Sequence, residues 1–187
     1  MADDQDVMDD TLLAGWRSGD RGAGEQLFER HYERVDRFFT NKVSDPQDLT
    51  QRTFLACLES VERYREGRSF RAYLLGIAWN VLRNHLRRLH ARASPVALET
   101  SSIRDLGQTP SELAAIDEEK QRVRLALQRL PVEQQTALEL YMWEELTMRE
   151  ISNVLGWPEG TVKDRLRRAK HRLGELVEDL RPPLTPR

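Results

Sequence analysis

Cysteine is almost absent from this 187-residue chain. Cys57 stands alone, which excludes an intramolecular disulfide and any zinc site built from several cysteines. Long hydrophobic runs are missing too: no apolar stretch approaches the ~18–20 residues that a membrane span requires. Sustained Val/Ile/Thr alternation is lacking, so strand signals are weak, whereas Leu, Arg, Glu and Ala abound. The opening MADDQDVMDD has neither the basic start of a signal peptide nor the arginines of a transit peptide, and a cytoplasmic protein is expected. Phosphate-loop, nucleotide-binding and Ser/His/Asp fingerprints are absent. His31, His85, His90 and His171 make no metal-ligand spacing, so neither an enzyme nor a cofactor is expected.

A large net charge is also missing. The total of −2 argues against a nucleic-acid binder until its distribution is considered. Asp3, Asp4, Asp6, Asp9 and Asp10 crowd the first ten residues. Residues 63–92 carry eight arginines (63, 65, 68, 71, 83, 87, 88 and 92) against Glu66. Residues 161–173 carry Lys163, Arg165, Arg167, Arg168, Lys170 and Arg172 against Asp164. Two basic patches are concealed by an acidic remainder, and local patches govern phosphate binding.

The stretch ARASPVALETSSIRDLGQTP, residues 91–110, interrupts every helical pattern. It is expected to be a flexible linker between helical domains at about 9–93 and 111–181, the core of the linker being 94–110. Residues 1–8 are expected to be disordered, and 182–187 a tail. In the first domain, Asp10 or Thr11 is a candidate cap for a short helix. A second helix over about 23–41 would bury Leu27, Phe28, Tyr32, Val35, Phe38 and Phe39. A third, opened by Pro46, would bury Leu49, Phe54, Leu55 and Leu58, and a fourth spans about 70–90. The predicted fold is all-α.

In the second domain, helices over about 111–129 and 132–143 precede LTMREISNVLGWPEG. Thr147 and Glu150 have capping-box spacing, Gly156 suits a left-handed helix end, and Pro158 or Glu159 restarts the chain. A short capped helix, a glycine turn and a longer basic helix follow the pattern of a helix-turn-helix. Counting ~100° per residue places Val162, Leu166, Ala169 and Leu173 on one stripe. Gly160, Asp164, Arg167, Arg168 and His171 fall on the opposite pole, flanked by Thr161, Lys163 and Lys170. This helix could read DNA, or be an ordinary basic surface helix. Asp164 could accept from a cytosine amino group, or clamp Arg167 and Arg168 as an i,i+3/i+4 partner.

DLTQRTFLACLESVERYREGRSFRAYLLGIAWNVLRNHLRR (48–88) resembles the second conserved region of bacterial sigma factors of the extracytoplasmic-function group. LQRLPVEQQTALELYMWEELTMREISNVLGWPEGTVKDRLRRAKHRL (127–173) resembles their fourth. The resemblance implies a transcription initiation factor that binds core RNA polymerase through its largest subunits, recognises −10 and −35 promoter elements and promotes melting. An anti-sigma partner is a further possibility it raises. By position, Asp48, Leu49, Gln51, Arg52 and Phe54 match the polymerase-docking helix. Tyr64, Arg65, Arg68, Ser69 and Phe70 match a loop that captures a −10 base. Tyr73, Asn80, Arg83 and Arg87 match the helix that holds the −10 strand. Gly160, Thr161, Lys163, Asp164, Arg167 and Arg168 match the −35 reading helix. Core packing is the competing role for Phe70 and Trp79, which lie near the inward stripe, and Tyr64 is the better base contact. A helix cap with a solvated neighbour is the competing role for Asp48 and Gln51. Three departures stand out: Arg52 replaces an acid, the segment VSDPQDLT is short, and Asp164 stands where serine is common. A helix-turn-helix regulator acting without polymerase is the alternative, but it would leave residues 48–88 unexplained.

Overall fold

Chain ends and turns in this protein are set by a few polar side chains. In the computed structural model, residues 2–64, 69–89, 100–103 and 118–180 are described, and among them the helix is the only repeating element. The first half holds α1 (Ala2–Arg17), α2 (Arg21–Thr40), α3 (Pro46–Ser60), a 3-10 turn (Val61–Arg63) and α4 (Phe70–Leu89). The second holds α5 (Glu118–Leu127), α6 (Val132–Met142), α7 (Met148–Leu155) and α8 (Glu159–Asp179). The Asp20 carboxylate caps α2, accepting from the Gly22 and Ala23 amides at 2.9 and 3.2 Å. Asp45 caps α3, with Pro46 in its first turn, where the missing N–H costs nothing.

The N-terminus departs from expectation. Residues 2–8 are helical and continuous with the helix expected to begin near Asp10 or Thr11. Tertiary contacts override the local signal. Asp9 is buried, accepting from Arg30 Nε at 3.1 Å and lying 2.7 Å from His31 Nε2. Arg17 donates to the Val61 and Tyr64 carbonyls at 2.8 and 2.6 Å, and Leu13 is buried. The helices approach closely where Trp16 lies over Gly24: a Cβ there would come within 2.9 Å of the indole.

The α2–α3–α4 core is formed by Leu27, Val35, Phe39, Leu49, Phe70, Leu74, Ala78 and Leu82, all buried. Each large side chain there contributes about 1.5–3 kcal/mol by leaving water. Cys57 is buried among them, and its thiol is pushed up to about 12 by that burial. Three residues expected in this core lie outside it: Tyr32, Leu55 and Leu58 are exposed, the two leucines by 59% and 47%. At ~100° per residue Leu58 sits half a turn away from Leu49, so one helix cannot bury both against the same neighbours.

The linker expectation also needs correction at residues 100–103. Ser102 bridges Pro131, the Val132 amide donates to the Ser101 carbonyl at 3.1 Å, and Ile103 is fully buried. One well-placed isoleucine suffices to dock a segment that is otherwise too polar for a core. The rest of the linker, residues 111–117 and the tail lie outside the described residues. The two halves are themselves packed together, α4 against α7 and the end of α2 against α6.

Burial opposes the charge on Asp9, but the hydrogen bonds and charges of His31 and Arg30 outweigh it and hold the carboxyl below its ordinary 3.8. A depressed acid contributes stability that is complete above its ordinary value and is lost as pH falls through the depressed one. Thermal melts of the wild type should therefore lose stability steeply below about pH 4. Asp9→Asn should cost ~3 kcal/mol at neutral pH and flatten that acid limb.

Candidate nucleic-acid and polymerase interface

The helix-turn-helix is built as its sequence predicts. Thr147 Oγ1 accepts from the Glu150 amide at 3.3 Å, and the Glu150 carboxylate accepts from the Thr147 amide at 2.8 Å. Gly156 ends α7 in the left-handed region with φ +72°, a conformation that penalises a side chain. Pro158 precedes the first residue of α8. Val162, Leu166 and Ala169 are buried and Leu173 packs against the same core, which turns Gly160, Arg167, Arg168 and His171 outward.

Nothing lies within 4 Å of where a Gly160 Cβ would stand, so packing does not demand a glycine. Its effect is to keep the N-terminal amides of α8 uncovered, at the positive end of the helix dipole. The six cations divide into two sets. Arg165 turns inward, donating to Glu133 at 2.7 Å and lying 4.2 Å from the Trp157 ring centre. The Lys170 amine sits 4.0 Å over Tyr141. Lys163, Arg167, Arg168 and Arg172 remain on the exposed surface. Asp164 accepts from Arg167 at 3.1 Å and from Arg168, and chiefly the Arg167 hydrogen bond holds its carboxyl below the usual range. In the free protein Asp164 acts as the clamp.

On α4 the core and most of the cations separate by face, Arg71 being buried. Phe70 and Trp79 are buried, in agreement with a packing role and not with base contact. Asn80 and Arg87 are exposed, and the Arg83 guanidinium lies 5.8 Å from the Trp79 ring. The Tyr73 hydroxyl lies 2.7 Å from Ser60 Oγ. Ser69 Oγ accepts from the Ala72 amide and donates to Asp6 at 3.2 Å. Tyr64 corrects the expectation that it is free to meet a base. It is only 5% exposed, its ring 5.1 Å from Tyr73 and 6.0 Å from Phe70, with the Arg17 guanidinium alongside. Burial, reinforced by Asp10 and Asp6, pushes its phenol up to about 12. Arg65 and Arg68 lie outside the described residues.

A third feature was only half visible in the sequence. Between α2 and α3 runs an open apolar groove of about 450 Å³, lined by Phe28, Glu29, Tyr32, Gln51, Phe54, Leu55 and Leu58. Tyr32 stacks on Phe54 with ring centres 6.1 Å apart. Gln51 and Phe54 belong to this wall, Leu49 is buried on the same helix, and Asp48 there pairs with Arg52 at 3.0 Å. Tyr32, Leu55 and Leu58 were missed as surface-forming residues, although their positions off the buried stripe could have revealed them. No cluster of three or more metal-binding side chains occurs among the described residues, and no described helix is long and apolar enough to cross a membrane.

Comparison with known proteins follows the same division. The Sigma-70 region 2 profile matches residues 27–92, and the Sigma-70, region 4 profile matches residues 120–173. The ECF RNA polymerase sigma factor SigM of Mycobacterium tuberculosis is 33% identical over 172 residues, covering 90% of this chain and 84% of that protein. This chain belongs to the ECF sigma factors of RNA polymerase. The sigma factor CarQ of Myxococcus xanthus is 32% identical over 171 residues, covering 88% of this chain and 95% of CarQ. Among solved structures, CnrH in complex with the cytosolic domain of CnrY shares the fold with a TM-score of 0.68 at 23% identity, over 93% of this chain and 99% of that one. RpoE of Bartonella quintana, in complex with the anti-sigma factor NepR, does so with a TM-score of 0.66 at 21% identity, over 84% of this chain and 98% of that one.

As a sigma factor, the protein binds core RNA polymerase, recognises −10 and −35 promoter elements and promotes melting for transcription initiation. A regulator acting without polymerase would need only the second half, and the region 2 match does not favour that alternative.

The Asp164 clamp sits among the exposed cations of α8, inside the Sigma-70, region 4 match. Replacing it with the serine common in the family should free Arg167 and Arg168 for phosphate. Asp164→Ser should steepen the salt dependence of duplex binding by up to ~1–2 in log–log slope. Base preference in a duplex selection should stay unchanged; an altered preference would identify Asp164 as a base reader.

Proposed function

We propose that three surfaces divide the work of this sigma factor. The α2–α3 groove docks on core polymerase, with Gln51 and Phe54 in its wall and Tyr32, Leu55 and Leu58 supplying apolar contact; Asp48 and Arg52 mark its rim, and Leu49 supports it from below. The outer face of α4, through Ser69, Tyr73, Asn80, Arg83 and Arg87, holds the displaced −10 strand, joined by Arg65 and Arg68 from the preceding loop. The outer pole of α8, through Gly160, Thr161, Lys163, Arg167 and Arg168, reads the −35 duplex, with Asp164 tuning the two arginines. The first functional unit extends to about residue 93 and includes α1, and the second begins near residue 111.

The observation that carries this reading is the segregation along α4. Phe70, Leu74, Ala78 and Leu82 are buried while Asn80, Arg87 and Arg88 face out and Arg83 lies half-buried, so cations line the outer side of the C-terminal half of α4. Single-stranded DNA is held by such cations through its phosphates, and exposed bases add stacking where rings are available. With Phe70, Trp79 and Tyr64 committed to packing, Tyr73 is the aromatic best placed to contribute on this face. The protein is a binding factor, not an enzyme, and works in the cytoplasm, where its polymerase and promoter reside. An anti-sigma partner fits as well, since CnrH and the Bartonella RpoE were both solved with partner proteins.

Run-off transcription with core polymerase over a promoter library tests the whole reading, and a defined start site is the expected outcome. Leu55→Glu with Leu58→Glu should weaken core binding by at least ~10-fold. Both side chains are exposed, so stability should change by less than ~0.5 kcal/mol each. Charge reversal at Arg167 and Arg168 should lower the salt slope of duplex binding by ~2 while leaving core binding intact. An unchanged slope would remove α8 from the groove.

A further inference from the structure

We propose that α1 is a splint for the loop that takes the −10 strand. Arg17 fixes the entry of that loop and Asp6 its exit, and both are positioning residues for the capture of a base. The inference rests on the role given above to α4 and the loop before it. It assigns work to a helix that lies outside residues 27–92, the span of the region 2 match.

The rotation of α1 is set by its packing on α2. Leu13 is buried, Asp9 meets Arg30 and His31, and Trp16 lies against Gly24. At ~100° per residue, Asp6, Leu13 and Arg17 then fall within ~40° of one another, with Asp6 and Arg17 ~16 Å apart along the axis. One inward face of a single rod carries an acid towards one end and a cation at the other.

At the entry, the Arg17 guanidinium gathers two carbonyls. It donates to Val61 at 2.8 Å and to Tyr64 at 2.6 Å, and stands 5.6 Å from the Tyr64 ring centre. The Val61 carbonyl also accepts from the Tyr64 amide at 3.0 Å, so the 3-10 turn is closed from within and held from outside. Tyr64 leaves that turn with extended backbone, φ −65° and ψ 133°. At the exit, Ser69 Oγ donates to Asp6 at 3.2 Å while accepting from the Ala72 amide at 3.4 Å. The carboxylate thereby sits beside the first turn of α4, where the helix dipole favours an acid. Tyr64 and Ser69 are thus tied to the same helix, and residues 65–68 depart and return at two points that α1 sets.

The ties bear on one part of strand binding. A segment anchored at both ends loses less freedom when it closes on a base, so less affinity is spent on ordering it. Phosphate contacts need no such precision, because they act through charge and counterion release. Arg17 turns its donors to carbonyls of its own chain. Its loss should therefore remove base dependence and leave salt dependence in place.

Holoenzyme reconstituted from core polymerase and the full-length chain tests this with fluorescein-labelled single-stranded 15-mers. The parent strand carries the −10 element of a promoter recovered by the run-off screen, and each variant strand has one nucleotide of that element replaced by an abasic site. In the wild type, one abasic position should weaken binding by ~10-fold or more. Arg17→Ala should shrink that penalty below ~2-fold, with core binding and the salt slope for the parent strand unchanged. Arg17→Lys keeps a charged donor for the carbonyls and should restore the penalty, and Asp6→Ala should lower it from the other end. An R17A holoenzyme with the wild-type penalty overturns the splint. A salt slope lower by ~1 with the penalty intact also overturns it, making Arg17 a phosphate contact. Loss of core binding by R17A and R17K alike overturns the positioning role in favour of a purely structural one.

Asn80→Ala with Arg87→Ala separates these failures from a failure of the α4 reading. If that pair leaves parent-strand binding undiminished, or if the wild type ignores every abasic site, the strand reading falls and the splint with it. If the pair weakens binding while R17A keeps the full penalty, the reading stands and the inference about α1 alone is overturned.

Discussion

A helix has one face to give to a core, and this chain has few apolar residues beyond what that face requires. On α4, Phe70, Leu74, Leu75, Ala78, Trp79, Leu82 and Leu86 form the buried face, Arg71 is buried with them, and Asn80, Arg87 and Arg88 lie outward. The same constraint operates on α8, where Val162, Leu166 and Ala169 fix the rotation of the helix and thereby the direction of Gly160, Arg167 and Arg168. On α8 the Asp164 carboxylate adds a second constraint, pairing with Arg167 and Arg168. Core packing aims the cations, and an error of one residue in either stripe would turn them by ~100°.

Residues left over from this arrangement explain the rest of the surface. Leu55 and Leu58 cannot join Leu49 in the core, so α3 presents an apolar strip that Phe54 and Tyr32 extend across to α2. Apolar patches of this kind mark contact with another macromolecule, the role proposed above for this groove. Between the halves, Lys42, Glu139, Gln135 and Glu144 form a buried cluster of charges and amides, set beside an apolar core that is continuous through both halves.

Most of the architecture could be read from the sequence because the decisive signals were local. The Thr147–Glu150 box, the left-handed Gly156 and the Val162–Leu166–Ala169 stripe depend on a few neighbouring residues, and all appear as expected. The readings that needed correction depended on distant partners. Residues 2–8 look disordered until Asp9 meets Arg30 and His31 from the next helix. Ile103 sits in a polar stretch and is buried only because the second half offers it a site. Tyr64 looked like an exposed loop residue, and its ring packs against Phe70 and Tyr73. The docking of the halves was not legible at all, since Lys42 and Glu139 are 97 residues apart and each looks like an ordinary surface charge.

Cys57 has a practical consequence. Fully buried and with its thiol pushed far above neutral pH, it presents almost no thiolate to reagents. The chain thus behaves towards maleimides and spin labels as though it were cysteine-free. Reporter cysteines could be placed on the outer surfaces of either half and modified selectively, with the native residue left in its core.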